Sequence, residues 1–137
     1  MKQPQPQAED QALLTFDKDA DAGVIEFTVD GEIGAAEYDA VIAALEEQIT
    51  RHGRVSVVEV IKSFTGMAPS LWWKDVTWGF SHLNEFARAA VVTDHGWIGP
   101  VSRAVGALMP AEIRAFRLEE IEEARKWVRG APEDQPA

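Results

Sequence analysis

Residues 55–61 read Val55-Ser56-Val57-Val58-Glu59-Val60-Ile61. This β-branched run has the length of a strand, and its near-continuous apolarity marks an interior strand covered on both faces. Upstream, the period changes. Tyr38, Val41, Ile42, Leu45 and Ile49 recur at helical spacing between Ala35 and His52, and Gly53 is placed to end that helix. Before it, Leu13–Lys18 and Val24–Asp30 are short strand candidates. The second alternates, with Ile25, Phe27 and Val29 against Glu26, Thr28 and Asp30. The linker Asp19-Ala20-Asp21-Ala22-Gly23 has turn chemistry, so the pair reads as an antiparallel hairpin with one wet face.

Downstream of the central run, Pro69-Ser70 opens a second helix running to about Asn84, and Arg88–Thr93 is a further apolar strand. Trp97–Met109 reads as a third helix, with Ile98, Val101, Val105 and Leu108 inward and Pro110 as its stop. Glu112–Leu118 is a last strand at an edge. In the closing helix, Glu119, Glu120, Glu122 and Glu123 precede Arg125, Lys126 and Arg129, an order that complements the helix dipole, and Gly130 follows as a cap. Its expected buried stripe is Ile121, Ala124 and Val128, with Trp127 beside it. The order β-β-α-β-α-β-α-β-α predicts an α/β fold: a mixed, mostly parallel sheet of four to five strands layered by helices. Ligands of such sheets sit outside the carboxyl ends of the strands, here Lys62-Ser63-Phe64 and Thr93-Asp94-His95.

A length of 137 residues is that of one domain, expected over residues 12–130 between polar tails at 1–11 and 131–137. Apolar residues at 46% and charged ones at 26% are ordinary for a globular chain. Thirteen basic against 23 acidic residues give a charge of −10, which argues against nucleic acid or anionic lipid as a partner held by bulk charge. Cysteine is absent, excluding disulfides, thiolate zinc sites and cysteine nucleophiles. No run approaches the length of a membrane span, and the start carries no apolar leader, so a cytoplasmic location is expected.

The second helix is unusual. At 100° per residue, Trp72, Val76, Gly79 and Leu83 share one narrow face that can pack on the sheet, flanked by Trp73 and Phe80. Leu71 and Trp78 fall nearly opposite, where a surface helix would be polar. Two accounts are open: a neighbouring element covers the second side, or the aromatic excess lines a pocket or an interface. Gly79 costs the helix about 1 kcal/mol relative to Ala, which suggests close backbone approach to the sheet or to a ligand. The preceding Phe64-Thr65-Gly66-Met67-Ala68 reads as a loop able to give the helix hinge freedom.

The stretch Ser70-Leu71-Trp72-Trp73-Lys74-Asp75-Val76-Thr77-Trp78-Gly79-Phe80-Ser81-His82 resembles the Trp-x-Asp…aromatic-Gly-x-x-His helix of the SpoIIAA-like proteins, stand-alone relatives of STAS domains. The strand end Ala90–Asp94 with Trp97, the segment Pro110–Phe116 and the pattern Glu122–Trp127 match in order and spacing, so the resemblance spans roughly residues 12–129. It implies a STAS-like fold, similar also to the lipid-carrying Sec14 (CRAL-TRIO) domain, and a non-enzymatic binder with an apolar cavity under the second and third helices. The matching positions are Trp73, Asp75, Trp78, Gly79, His82 and Trp97, with Phe80 as an aromatic neighbour. Gly99-Pro100, Thr77 and Ser81 stand where charged residues are usual, which argues against a cationic rim for an acidic ligand head. STAS relatives that antagonise anti-sigma factors carry an Asp-Ser phospho-acceptor after the third strand. That pair is missing here, and Ser70 reads as a helix N-cap rather than a phosphorylation site.

No catalytic constellation stands out. Asp75 and His82 share a helical face two turns apart, about 10 Å along the axis, too far for a dyad. Glu85 is spaced to pair with His82 as surface decoration, His52 suits the negative end of the first helix, and His95 beside Asp94 reads as a turn residue. Three scattered histidines lack metal-ligand spacing, and no cofactor motif is present. The expectation is a non-enzymatic domain holding a lipophilic ligand, a fatty acid or lipid tail, with Trp73, Trp78, Phe80 and Trp97 as apolar wall and Asp75 and His82 as polar anchors. The alternative is a regulatory module that docks a protein partner or a second copy through the same aromatic helix. A hydrolase using His95 and Asp94 ranks behind both.

Overall fold

The computed structural model describes residues 14–96 and 111–130. Five strands form one sheet in sequence order: β1 (Leu14–Asp19), β2 (Val24–Ile33), β3 (Val55–Met67), β4 (Phe86–Thr93) and β5 (Glu112–Phe116). β1 pairs antiparallel with β2, and the β2–β3, β3–β4 and β4–β5 pairs are all parallel. The three described helices are α1 (Ala35–His52), α2 (Pro69–Ser81) and α3 (Ile121–Val128). This is the α/β class and mixed sheet expected from the pattern, with β3 at its centre. The third helix of the sequence reading and both tails lie outside the described residues.

Because alternate strand residues point to opposite faces, the sheet carries two cores. On one face Ile25, Val29, Val55 and Val57 pack with Tyr38, Val41, Ala44 and Leu45 of α1 and with Leu71 of α2. On the other, Val24, Val58, Val60, Ala90 and Val92 pack with Ala124, Trp127 and Val128 of α3. Helix α3 is also clamped electrostatically. Arg125 makes a fork of hydrogen bonds to Glu26 on β2, at 2.8 and 2.7 Å, and Arg129 meets Asp19 at 3.0 Å. Bidentate guanidinium–carboxylate pairs fix orientation as well as adding energy. The Arg129 hydrogen bond holds the Asp19 carboxyl below its usual range.

Helix α1 ends as its sequence suggests. Gly53 takes the left-handed conformation at φ +80° and its N–H returns to the carbonyl of Ile49 at 2.7 Å. His52 does more than suit the dipole: its Nε2–H donates to the carbonyl of Ala20 at 2.7 Å, tying the helix end to the β1–β2 turn. Gln48, on the buried stripe of α1, is 0% exposed and neither of its side-chain polar atoms has a partner.

Two expectations are corrected next to α2. Residues 64–67 are not a hinge loop. They continue β3, pairing Phe64 with Gly31, Gly66 with Glu32 and Met67 with Ile33. The register slips between Val29 and Asp30 and again between Gly31 and Glu32, and Gly31 and Gly66, at φ +122° and +137°, flank the second slip in conformations that other residues rarely adopt. Nor does Ser70 cap α2. The N-cap position is Ala68, Pro69 occupies the first turn, and no side chain caps the helix. A proline there lacks an N–H that would need capping and has its φ already set for the helix.

Candidate functional site

Tyr38 of α1 and Asp75 of α2 meet through a hydrogen bond, and Glu59 of β3 lies within reach of the Asp75 charge. Glu59 lies on β3, between Phe27 of β2 and Val91 of β4 in register. Alternation puts it on the same face as Val57 and Ile61, the face covered by α1 and α2. Tyr38, buried on α1, donates its hydroxyl to Oδ1 of Asp75 on α2 at 3.0 Å. Asp75 as a residue is exposed on its helix, yet this hydrogen bond draws its carboxylate inward to a half-buried position.

The electrostatics follow from burial. Desolvation first, and then the charge of Asp75, push the Glu59 carboxyl up to about 7. Asp75 is raised by burial against the lowering effect of the Tyr38 hydroxyl. The Tyr38 phenol is raised by its own burial and then by the Asp75 charge. Among the described residues Glu59 has no hydrogen-bond or ion-pair partner. Lys74 of α2 pairs with Asp39 at 2.7 Å, and its ammonium also stands 5.9 Å from the centroid of the Tyr38 ring.

A neighbouring element covers the side of helix α2 where a surface helix would be polar. Leu71 is 6% exposed and belongs to the α1-side core, and Trp78 packs against that same core. Leu71, Asp75, Trp78 and His82 follow one another at four, three and four residues, so they share one stripe. That stripe faces the core shared with α1, about 100° around the helix from the stripe through Gly79. The Tyr38 hydroxyl makes a carboxylate acceptable on the inward side. Among the described residues, a Cβ built at Gly79 meets nothing within 4 Å.

The stripe continues past Trp78 into a second cluster. The Trp78 indole donates from Nε1 to Oε2 of Glu46 at 2.9 Å, meets Phe86 edge-on at 5.8 Å, and stacks on the His82 imidazole at 4.0 Å between centroids. His82 Nδ1 lies 2.8 Å from the carbonyl of Trp78, so Nδ1 carries the proton in this bond. Nε2 stands 3.9 Å from Oε1 of Glu85, and that buried oxygen has no hydrogen-bond partner.

Of the six residues expected to bind a ligand, the structure thus brings together Asp75, Trp78 and His82. Trp73 is corrected: it projects from the opposite side of α2 and is 73% exposed, so it forms no part of an enclosed wall. The side chain of Phe80, and Trp97 altogether, lie outside the described residues. The strand ends hold structural bonds. Ser63 donates to Asp30 at 2.8 Å, Thr93 Oγ1 accepts the backbone N–H of His95 at 3.2 Å, and Asp94 accepts that of Leu118 at 3.0 Å. Among the described residues no three histidine or carboxylate side chains gather as a metal site, and no helix is long and apolar enough to cross a membrane.

The sequence profile of the SpoIIAA-like family matches residues 24–129. The chain belongs to the SpoIIAA-like family. A solved structure with the same fold is that of an uncharacterized DUF3478-family protein from Shewanella loihica PV-4. It is 20% identical, with a TM-score of 0.68, over 84% of this chain and 91% of that one. No curated protein matches the sequence. Glu59 is the residue that sequence reasoning missed in this SpoIIAA-like domain. Its signal was present: a lone carboxylate at a position that alternation assigns to the covered face of an interior strand.

Proposed function

We propose that this SpoIIAA-like domain is a binding protein that takes a small lipophilic ligand between the sheet and α2. The observation that carries the proposal is Glu59. Its carboxyl is desolvated strongly enough to be raised to about 7, yet the residue is only half-buried and has no hydrogen-bond or ion-pair partner among the described residues. A side chain both deep and incompletely covered borders a gap rather than close-packed atoms. Ile61, Phe64, Leu71 and Trp78 supply the apolar surroundings, Glu59, Asp75 and Tyr38 the few polar groups. Apolar walls with a small number of convergent, pKa-shifted side chains are the usual composition of small-molecule sites. Nothing in the arrangement supplies a nucleophile beside a base, which favours binding over catalysis.

The test uses Nile red, a neutral apolar dye. Saturable emission at one dye per chain, lost in Trp78→Ala and kept in Trp73→Ala, supports the reading, as does a lipid recovered by organic extraction and mass spectrometry. Emission that never saturates, together with an empty extract, refutes it. The 73% exposed Trp73 favours a second role, docking of a protein partner or a second copy through the outer side of α2. Light scattering that shows a dimer in the wild type and a monomer in Trp73→Ala would establish that role.

A further inference from the structure

The joint between α2 and β4 holds a titratable pair that the lipophilic-site reading does not use. His82 is the C-cap of α2, and Glu85 closes the short 3-10 turn Leu83–Glu85 that leads into β4. The imidazole is fixed in two ways. Its ring stacks on the Trp78 indole at 4.0 Å between centroids, with the planes 16° apart, and Nδ1–H donates to the Trp78 carbonyl at 2.8 Å. Nε2 is left to face Oε1 of Glu85 at 3.9 Å, an oxygen that is buried and has no hydrogen-bond partner. With the proton on Nδ1, a neutral ring presents a lone pair to that carboxylate, acceptor against acceptor. One added proton makes Nε2 a donor, and a charge-assisted N–H···O bond then closes to about 2.8 Å.

The charged groups of the surrounding elements have the matching sign. Glu85 faces the ring from the turn, Asp75 lies two helical turns back on the same stripe, and Glu46 of α1 accepts the N–H of the stacked indole at 2.9 Å. The carbonyl end of α2 adds partial negative charge at the same place. The cations of these elements are engaged elsewhere: Lys74 of α2 pairs with Asp39, and Arg88 of β4 with Glu112 and the Trp127 ring in the opposite core. We infer that His82 and Glu85 form a proton-operated latch on the joint between α2 and β4: the imidazolium donates from Nε2 to Oε1 of Glu85 and holds the turn against the helix end, and loss of that proton releases it. The proton comes from solvent and returns to it, since the His82 side chain is 24% exposed. Histidine is the side chain that changes charge between pH 5 and 8. The latch is independent of what the recess between the sheet and α2 holds.

The experiment follows tryptophan emission of the full chain from pH 8 to pH 5 in the wild type, His82→Gln and Glu85→Gln. An imidazolium quenches an indole stacked on it, so the wild type should lose emission in a step that His82→Gln lacks. In Glu85→Gln the step should move to lower pH by about 0.5 unit, the worth of a partly exposed ion pair. Glu59, raised to about 7, titrates in the same window in all three proteins, as do the groups they share, so the differences between them belong to the pair. Imidazole nitrogen NMR of the wild type at pH 8 should show the Nδ1–H tautomer. A wild type without a step, a step kept in His82→Gln, a step unmoved in Glu85→Gln, or an Nε2–H tautomer at pH 8 would each overturn the latch. If circular dichroism shows that His82→Gln does not fold, the shift in Glu85→Gln and the tautomer decide.

Discussion

Replacing Glu59 by glutamine should remove most of the pH dependence of stability between pH 5 and 8. The folded-state value of about 7 lies above the ordinary 4.5, because burial and then the Asp75 charge disfavour the anion. A raised carboxyl is protonated on folding, so its contribution is fully present below 4.5 and is lost as pH climbs through 7. The gap between 4.5 and about 7, at about 1.36 kcal/mol per pH unit, comes to about 3 kcal/mol, most of it lost between pH 5 and 8. Asp75 acts in the same direction, whereas the lowered Asp19 and Glu47 act the other way, gaining stability as pH rises through the acid range. Those groups are common to wild type and Glu59→Gln, so subtracting the two curves isolates Glu59. Urea unfolding at pH 5, 6, 7 and 8, followed by circular dichroism, provides the curves. The variant should gain on the wild type by about 2–3 kcal/mol across that range. A difference that stays flat with pH would show that Glu59 is solvated in the folded protein, and the argument for the recess would go with it.

Gln48→Leu should stabilise the protein by about 1–3 kcal/mol in urea unfolding, because both polar atoms of a side chain 0% exposed lack partners and an apolar group of similar size leaves nothing unpaired. Gly79→Ala should raise stability by about 1 kcal/mol, since a Cβ there meets open space and the helix gains propensity; thermal melts measure it. Arg125→Ala should cost about 2 kcal/mol by loosening α3 from Glu26, and Trp127 fluorescence during unfolding should report that loss.

Strand and helix order was legible because the chain's period changes cleanly: two-fold in Val24–Asp30, helical in Ala35–His52, unbroken in Val55–Ile61. Parallel pairing followed from the intervening helices. The second half of β3 was not legible, since Lys62, Ser63, Thr65 and Gly66 carry no alternation and two register slips interrupt it. The inward place of the stripe through Leu71, Asp75 and Trp78 was hidden for a different reason. Apolar residues surround that helix, so no single face announces itself, and the inward face contains an aspartate whose partner, Tyr38, lies 37 residues away. Propensity and periodicity are local, whereas what makes Asp75 tolerable is a contact between helices. Asp75, Trp78 and His82 were singled out through a resemblance of sequence that singled out the exposed Trp73 as well, because a motif records which residues recur and not which way each one points.

The fork between Arg125 and Glu26 joins residues 99 positions apart, and the Arg129–Asp19 pair spans 110. A chain emerging during synthesis therefore carries its hairpin and central strands long before the segment that shelters Val24, Val58, Val60 and Val92 has been made. Until then a whole wall of the sheet is bare to water and open to sticking to other nascent chains. Folding of this small domain is thus tied to completion of its last helix, and a messenger truncated shortly before codon 121 would yield a product with the sheet's valines uncovered and no means of covering them.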